Sequence, residues 1–230
     1  MPVFQLTDKL VFPPPELAEE NGLLAIGGDL STERLLLAYR SGIFPWYSEG
    51  DPVLWWSPSP RLVIFPDEFK VPKRLVRFIK QQKYKMTMDC AFQQVITSCA
   101  SASGRQAKGT WIDQDMIEAY TRLHEQGWAH SVECWQDEEL VGGLYGIALG
   151  KVFFGESMFS LHSNTSKAAL IFLVEQLHEK NFNLIDCQMK TEHLIQFGAR
   201  EISGTEFQSI LAQSIKDSNS SHQWALSNRK

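Results

Sequence analysis

The sequence has no Cys-x-x-Cys pair and no histidine at zinc-site spacing, and its four cysteines, Cys90, Cys99, Cys134 and Cys187, stand far apart. A zinc centre needs several thiolate or imidazole ligands at short, regular intervals, so no metal is expected and the thiols read as idle groups in a reducing cytosol. Long apolar runs are also missing. The longest, Ala168 to Val174, falls far short of the roughly 20 residues a helix needs to cross a bilayer. No basic segment followed by an apolar one opens the chain, so export is not expected and the cytoplasm is the expected location. Internal repeats and low-complexity tracts are absent. The 230 residues, 43% hydrophobic and 21% charged, suit one substantial core with a smaller appendage, and this balance argues against wholesale disorder.

Net charge is −5, which gives no reason to call the whole molecule a nucleic-acid binder. The distribution says more. No acid occurs between Glu68 and Asp89, while Lys70, Lys73, Arg74, Arg77, Lys80, Lys83 and Lys85 fall there. Over Val71 to Gln82 the apolar Leu75, Val76, Phe78 and Ile79 gather on one side, so an amphipathic helix with a cationic outer face is expected. Such a face is either simply solvated or a contact for a phosphate backbone, which would make binding salt-sensitive.

The first sixty residues are dense in turn formers, with Pro13 to Pro15, Gly27, Gly28, Gly42, Pro45, Pro52, Pro58 and Pro60. One helix is expected there, from the N-cap Ser31 to the stop at Gly42. This predicts a small N-terminal domain over 1–62 and a larger one over 63–230. In the latter, a strand at Leu62 to Phe65 precedes helices at Cys90 to Ala100 and Asp113 to Gln126. A meander of strands then follows (Ala129 to Gln136, Glu139 to Leu149, Lys151 to Phe159). A long helix (Asn164 to Lys180), a buried strand (Leu184 to Met189) and a short helix (Thr191 to Phe197) complete it, with a frayed tail beyond Ser214. The order is that of an α/β (α+β) fold of the N-acetyltransferase-like, or GNAT-like, kind. That superfamily normally cradles coenzyme A on a glycine-rich turn after the central strand, because backbone N–H groups must approach the pyrophosphate closely. Phe159 to Lys167 has no glycine, so the fold is expected without that donor.

Several segments then carry a specific match. They are Gly-Leu-Leu-Ala-Ile-Gly-Gly-Asp-Leu-Ser from residue 22, Gly-Ile-Phe-Pro-Trp-Tyr from 42, Trp-Trp-Ser-Pro-Ser-Pro-Arg from 55 and Gly-Thr-Trp-Ile from 109. Downstream are Glu-Leu-Val-Gly-Gly-Leu-Tyr-Gly from 139, Gly-Glu-Ser-Met-Phe from 155 and Leu-Ile-Asp-Cys-Gln from 184. Together, in order from Phe12 to Gly198, they resemble the bacterial leucyl/phenylalanyl-tRNA–protein transferases. The resemblance implies transfer of Leu or Phe, with Met as a further donor, from aminoacyl-tRNA to proteins beginning with Arg or Lys, marking them for N-degron proteolysis. A monomer without cofactor or metal is expected.

The residues suit that chemistry. An aminoacyl-tRNA is already an activated ester and an N-terminal amine has a pKa of about 8, so positioning with one proton acceptor is enough. On a strand, residues i and i+2 share a face, which would aim Asp186 and Gln188 at one space as the catalytic pair. The resemblance suggests the same relay, with base and clamp both open as roles. Read alone, the pair is sooner a buried carboxylate met by backbone donors beside a structural glutamine, and the motif match reverses that order. Glu156, an acid in an apolar strand, is an outward charge on its own terms, and the matching motif assigns it to the cationic peptide N-terminus. Leu144, Met158, Leu170, Leu173, Leu177 and Ile185 are expected to form the aminoacyl pocket as a group, although any one of them reads as simple core. Trp46 and Trp111 are the candidates for stacking on the 3′ adenosine. Lys73, Arg74, Arg77, Lys80 and Lys83 are the candidates for the tRNA backbone. Two rivals stand beside this reading: a coenzyme A-dependent N-acetyltransferase and a non-catalytic RNA-binding module.

Overall fold

The computed structural model describes residues 3–81, 84–102 and 112–216. Trp111, Lys83 and the expected frayed tail from 217 onward lie outside the described residues.

Two sheets organise the chain. The first holds β1 (Phe4–Leu6), β2 (Leu23–Gly27), β3 (Phe44–Pro45) and β4 (Leu54–Trp56) in the order β1-β2-β4-β3. Helix α1 (Thr32–Arg40) sits between β2 and β3, with Ser31 accepting from the Arg34 N–H as expected of its N-cap. These strands are two to five residues long, too short to show a period in sequence, which is why only the helix was expected.

The second sheet takes in β5 (Arg61–Ile64), β6 (Lys85–Met88), β7 (Ala129–Gln136), β8 (Glu139–Leu149), β9 (Val152–Ser160), β10 (Leu184–Asp186) and β11 (Arg200–Ile202). Their order is β11-β5-β10-β9-β8-β7-β6, antiparallel except for β10 beside β9. The helices are α2 (Lys73–Gln81), α3 (Phe92–Ser101), α4 (Gln114–Glu125), α5 (Thr165–Glu179), α6 (Glu192–Ile195) and α7 (Gly204–Ser214). The arrangement is mixed α/β, and meander, long helix, strand and short helix follow in the expected order. Unforeseen elements are β6, where Lys85 joins an edge strand paired to β7, together with β11 and α7. The expected strand to Met189 stops at Asp186, because Gln188 takes a left-handed backbone with φ 57°.

Alternation along the strands builds a core on each face of the large sheet. Tyr145, Phe154 and Leu184 face α1, α3, α4, α7 and Trp55 of the small sheet. Leu62, Leu144, Phe153 and Ile185 face α5, α6 and α2. The first of these cores runs through both sheets, so the N-terminal strands close one side of the larger unit.

The alternation breaks in β8, where Val141 is skipped between the partners of Cys134 and Trp135, and again in β9. Tyr145 pairs with Ser157 but Gly146 pairs with Gly155, leaving Glu156 as an extra, unmatched residue. This is a β-bulge. It explains why Phe154 and Phe159, an odd number of residues apart, both face the first core, while Phe153 and Met158 both pack on the second. Opposite the bulge only a glycine fits: a Cβ on Gly146 would stand 2.2 Å from the Phe154 carbonyl oxygen and 2.6 Å from the Phe153 ring. Gly146→Ala is therefore expected to destabilise the fold by about 3 kcal/mol. Urea unfolding checks this, and a wild-type midpoint would contradict the packing.

Candidate active site

Pairing between β9 and β10 ends at Phe154 with Asp186. Beyond that point β9 continues beside β8, and β10 turns away. Between them opens a cavity of about 540 Å³, within the size range of small-molecule sites. Its apolar lining includes Leu144, Phe153, Met158, Leu170, Leu173 and Ile185. Five of the six residues expected in the aminoacyl pocket thus come together. Leu177 does not: it is fully buried in the second core, one helical turn beyond Leu173 and so about 6 Å further along the helix than the cavity reaches.

Among the described lining side chains Glu156 is the only carboxylate, accompanied by Gln188, His193 and several hydroxyls. The bulge turns the Glu156 carboxyl toward α1 and α4, where Tyr39 donates to Oε1 at 2.8 Å and Tyr120 to Oε2 at 3.2 Å. The two phenols also bond each other. Burial pushes Glu156 up to about 7, against the two tyrosine donors and Arg61, which favour the anion, and with neighbouring Asp186 disfavouring it. Burial first, then Glu156, holds both phenols well above their ordinary value, so they act as donors. His193 is lowered by burial and by the nearby Lys167. Its Nε2 is buried with no hydrogen-bond partner among the described residues.

The placement of Asp186 corrects the expected pair. Its side chain is fully buried and does not line the cavity. It takes two hydrogen bonds from Arg61, Nε to Oδ1 at 2.8 Å and Nη2 to Oδ2 at 2.6 Å. Oδ1 also accepts the Gln188 backbone N–H at 2.9 Å. Asp186 therefore reaches Gln188 through the main chain, not through side chains sharing a strand face. The reason is the left-handed residue: with φ 57° at Gln188 the chain leaves the strand, and the i, i+2 rule no longer applies. Gln188 does line the cavity.

Trp46 is 37% exposed on the small sheet, tilted against Trp56 at 5.6 Å between ring centroids, and is not part of the cavity lining. Trp55 is core, its Nε1 donating to the Gly27 carbonyl. Lys73, Arg74, Arg77 and Lys80 are exposed on α2, whose Leu75 faces the core. At the start of α5, the Ser166 N–H donates to Ser160 Oγ and the Thr165 N–H to the His162 carbonyl. Those amides are thus occupied by the protein itself.

A sequence profile described as leucyl/phenylalanyl-tRNA protein transferase matches residues 63–212, and one for the N-terminal domain of the same proteins matches 28–59. The chain belongs to the leucyl/phenylalanyl-tRNA–protein transferase family. A protein of that name from Desulfotalea psychrophila is 56% identical over 98% of this chain and 100% of its own. One from Syntrophobacter fumaroxidans is 56% identical over 94% and 93%, and one from Cellvibrio japonicus 57% over 88% and 86%. Within this leucyl/phenylalanyl-tRNA–protein transferase framework, sequence reasoning passed over Arg61, Tyr39, Tyr120 and His193 as site neighbours. Tyr39 and Tyr120 sit at apolar helix positions and read as core. Arg61 appeared only as the last residue of a motif, and nothing singled out His193.

The raised Glu156 carboxyl has a consequence for stability. Between about pH 4.5 and 7 the folded protein holds a proton that the unfolded chain releases, so stability falls as pH rises through this window and the cost is complete above it. Glu156→Gln is expected to match the wild type near pH 5 and to exceed it by about 2–3 kcal/mol at pH 8. Urea unfolding at the two pH values would test this, and equal stabilities at both would argue against a desolvated carboxyl.

Proposed function

We propose that this chain moves Leu or Phe, with Met as a further donor, from the 3′ end of aminoacyl-tRNA to the N-terminal Arg or Lys of acceptor proteins. The observation that carries the reading is the cavity between β9 and β10, where an apolar lining meets one carboxylate and one amide in a chain of this family. Leu144, Met158, Leu170, Leu173 and Ile185 receive the aminoacyl side chain, flexible Met and Leu groups admitting a branched or an aromatic guest. The acceptor amine attacks the ester carbonyl carbon, a C–N bond forms, and the C–O bond to the ribose oxygen breaks.

Glu156 meets the positive acceptor and can also take its proton. A carboxyl raised to about 7 lies close to an N-terminal amine of pKa about 8, so that transfer costs little, and the proton can pass on to the departing ribose oxygen. The Gln188 amide oxygen orients the amine, with Asp186 acting behind it. Because the ester is already activated, alignment supplies most of the rate, on the order of 7–11 kcal/mol.

Outside the cavity, Trp46 offers a face to the terminal adenosine, and Lys73, Arg74, Arg77 and Lys80 offer charge to the tRNA backbone. The reading includes a cytoplasmic monomer divided near residue 62. The break between the two sheets, from Trp56 to Arg61, supports that division, and no described helix is long and apolar enough to cross a membrane. The occupied amides at the start of α5 favour this reading over a coenzyme A-dependent one.

Labelled leucyl-tRNA incubated with an Arg-initiated peptide should give labelled peptide, and an Asp-initiated peptide should give none. Stable tRNA binding without product would favour the RNA-binding alternative instead. The triple change Arg74→Ala, Arg77→Ala, Lys80→Ala should weaken tRNA binding and flatten its dependence on salt, leaving transfer at saturating tRNA near normal. An unchanged salt slope would leave α2 as a solvated face.

A further inference from the structure

Two features around the turn at Gln188 demand an explanation. A non-glycine residue in the left-handed region costs on the order of 1–3 kcal/mol and persists only where its surroundings over-determine it. Here they do: the Met189 N–H closes the turn locally on the Cys187 carbonyl at 2.7 Å, and the long-range ties lead to the pair Arg61 and Leu62. Leu62 donates its N–H to the Gln188 carbonyl at 3.2 Å and accepts the Cys187 N–H at 2.9 Å. Arg61 grips both oxygens of Asp186, and the Oδ1 that takes its Nε also takes the Gln188 N–H.

The second feature is the guanidinium itself. It is 1% exposed, stacked 4.9 Å from the Phe44 ring centroid and 4.6 Å from that of Phe207. Its Nη1 is buried with no hydrogen-bond partner among the described residues. Apolar residues of equal volume would hold a core at least as well as a buried ion pair with an unmet donor. The pair's cost is better explained by what it fixes than by stability.

We infer that Arg61 is the positioning residue of this site, acting through Asp186 to set the Gln188 turn at the cavity rim. Phe44 from the small sheet and Phe207 from α7 fix the guanidinium in turn, so both ends of the chain bear on the placement of Gln188. The inference rests on the function proposed above for the cavity.

Arg61 is also one of the charges acting on Glu156. The groups facing that carboxyl are Tyr39 from α1, Tyr120 from α4 with Tyr145 of β8 behind it, Asp186 at the end of β10 and Arg61 of β5; the Cys187 thiol, beside Asp186 and Arg61, is held neutral by burial. Arg61 favours the charged form of Glu156 and the neighbouring Asp186 disfavours it. Without Arg61 the disfavouring neighbour alone remains, so the form with Glu156 free to accept a proton is reached only at higher pH.

Three variants of the full chain test the assignment. Arg61→Lys retains the charge but cannot make the two-pronged contact. It should lower kcat by about 10–100-fold with KM for leucyl-tRNA within twofold, and should speed hydrogen exchange at the Gln188 amide. Arg61→Met should add a shift of the acid limb of the kcat profile to higher pH. The double variant Arg61→Met, Asp186→Leu should return that limb to its wild-type position while kcat stays low. Arg61→Lys folded as wild type, with kcat within threefold and unchanged exchange at Gln188, would overturn the inference, whatever the fate of Arg61→Met. If the wild type itself transferred nothing, the proposed function would fail, and the exchange measurement would still decide the clamp.

Discussion

Backbone groups along a sheet must be paired, and the place where β9 and β10 stop pairing is where the chain has to meet that demand differently. On the β9 side an inserted residue bends the strand while it stays bonded to β8. On the β10 side the chain turns through a left-handed residue, and the freed groups are taken up by Leu62 and by a carboxylate held to an arginine. The cavity is the space these two solutions leave between them. Its lining, its one carboxylate and its one amide all follow from the parting of two strands that run parallel for three residue pairs.

The charge at this site is arranged in two unlike ways a short distance apart. Asp186 is buried but balanced by a two-pronged arginine contact, so it serves as a fixed anchor. Glu156 is half-buried with two phenolic donors and, among the described residues, no cation bonded to it, and its carboxyl is pushed up to about 7. One carboxylate is spent on geometry, and the other stays available for a proton or a cation. The bulge that carries Glu156 separates these roles, since it directs that carboxyl toward α1 and α4 while the residues on either side continue in their two cores.

The N-terminal sheet has a part in this beyond closing the first core. Trp55 and Tyr39 pack into that core, and Tyr39 reaches Glu156 directly. Phe44 lies under the Arg61 guanidinium. A small unit that looks like an appendage in sequence therefore touches Glu156 through a hydroxyl and, through an aromatic face, the arginine that holds Asp186.

Much of this was legible in the amino-acid sequence. Periods of 3.6 and 2 residues marked α1, α3, α4, α5 and the meander, because long elements with one buried face repeat their apolar positions many times. The motifs pointed to the family, to Glu156 and to the apolar set around Leu144 and Leu170. The short strands β1 to β4, β6 and β11 were not legible, since two to five residues carry no clear period and their pairing energy comes from distant partners. The i, i+2 rule also misled at Asp186 and Gln188: it assumes a strand that continues, and here contacts from Arg61 and Leu62, more than a hundred residues away, join the local bonds of the turn in ending it. Local order and family were thus written in the sequence, where each residue's neighbours along the chain suffice. The bulge, the buried ion pair and the cavity were decided by the tertiary structure, because each needs groups brought together across the fold.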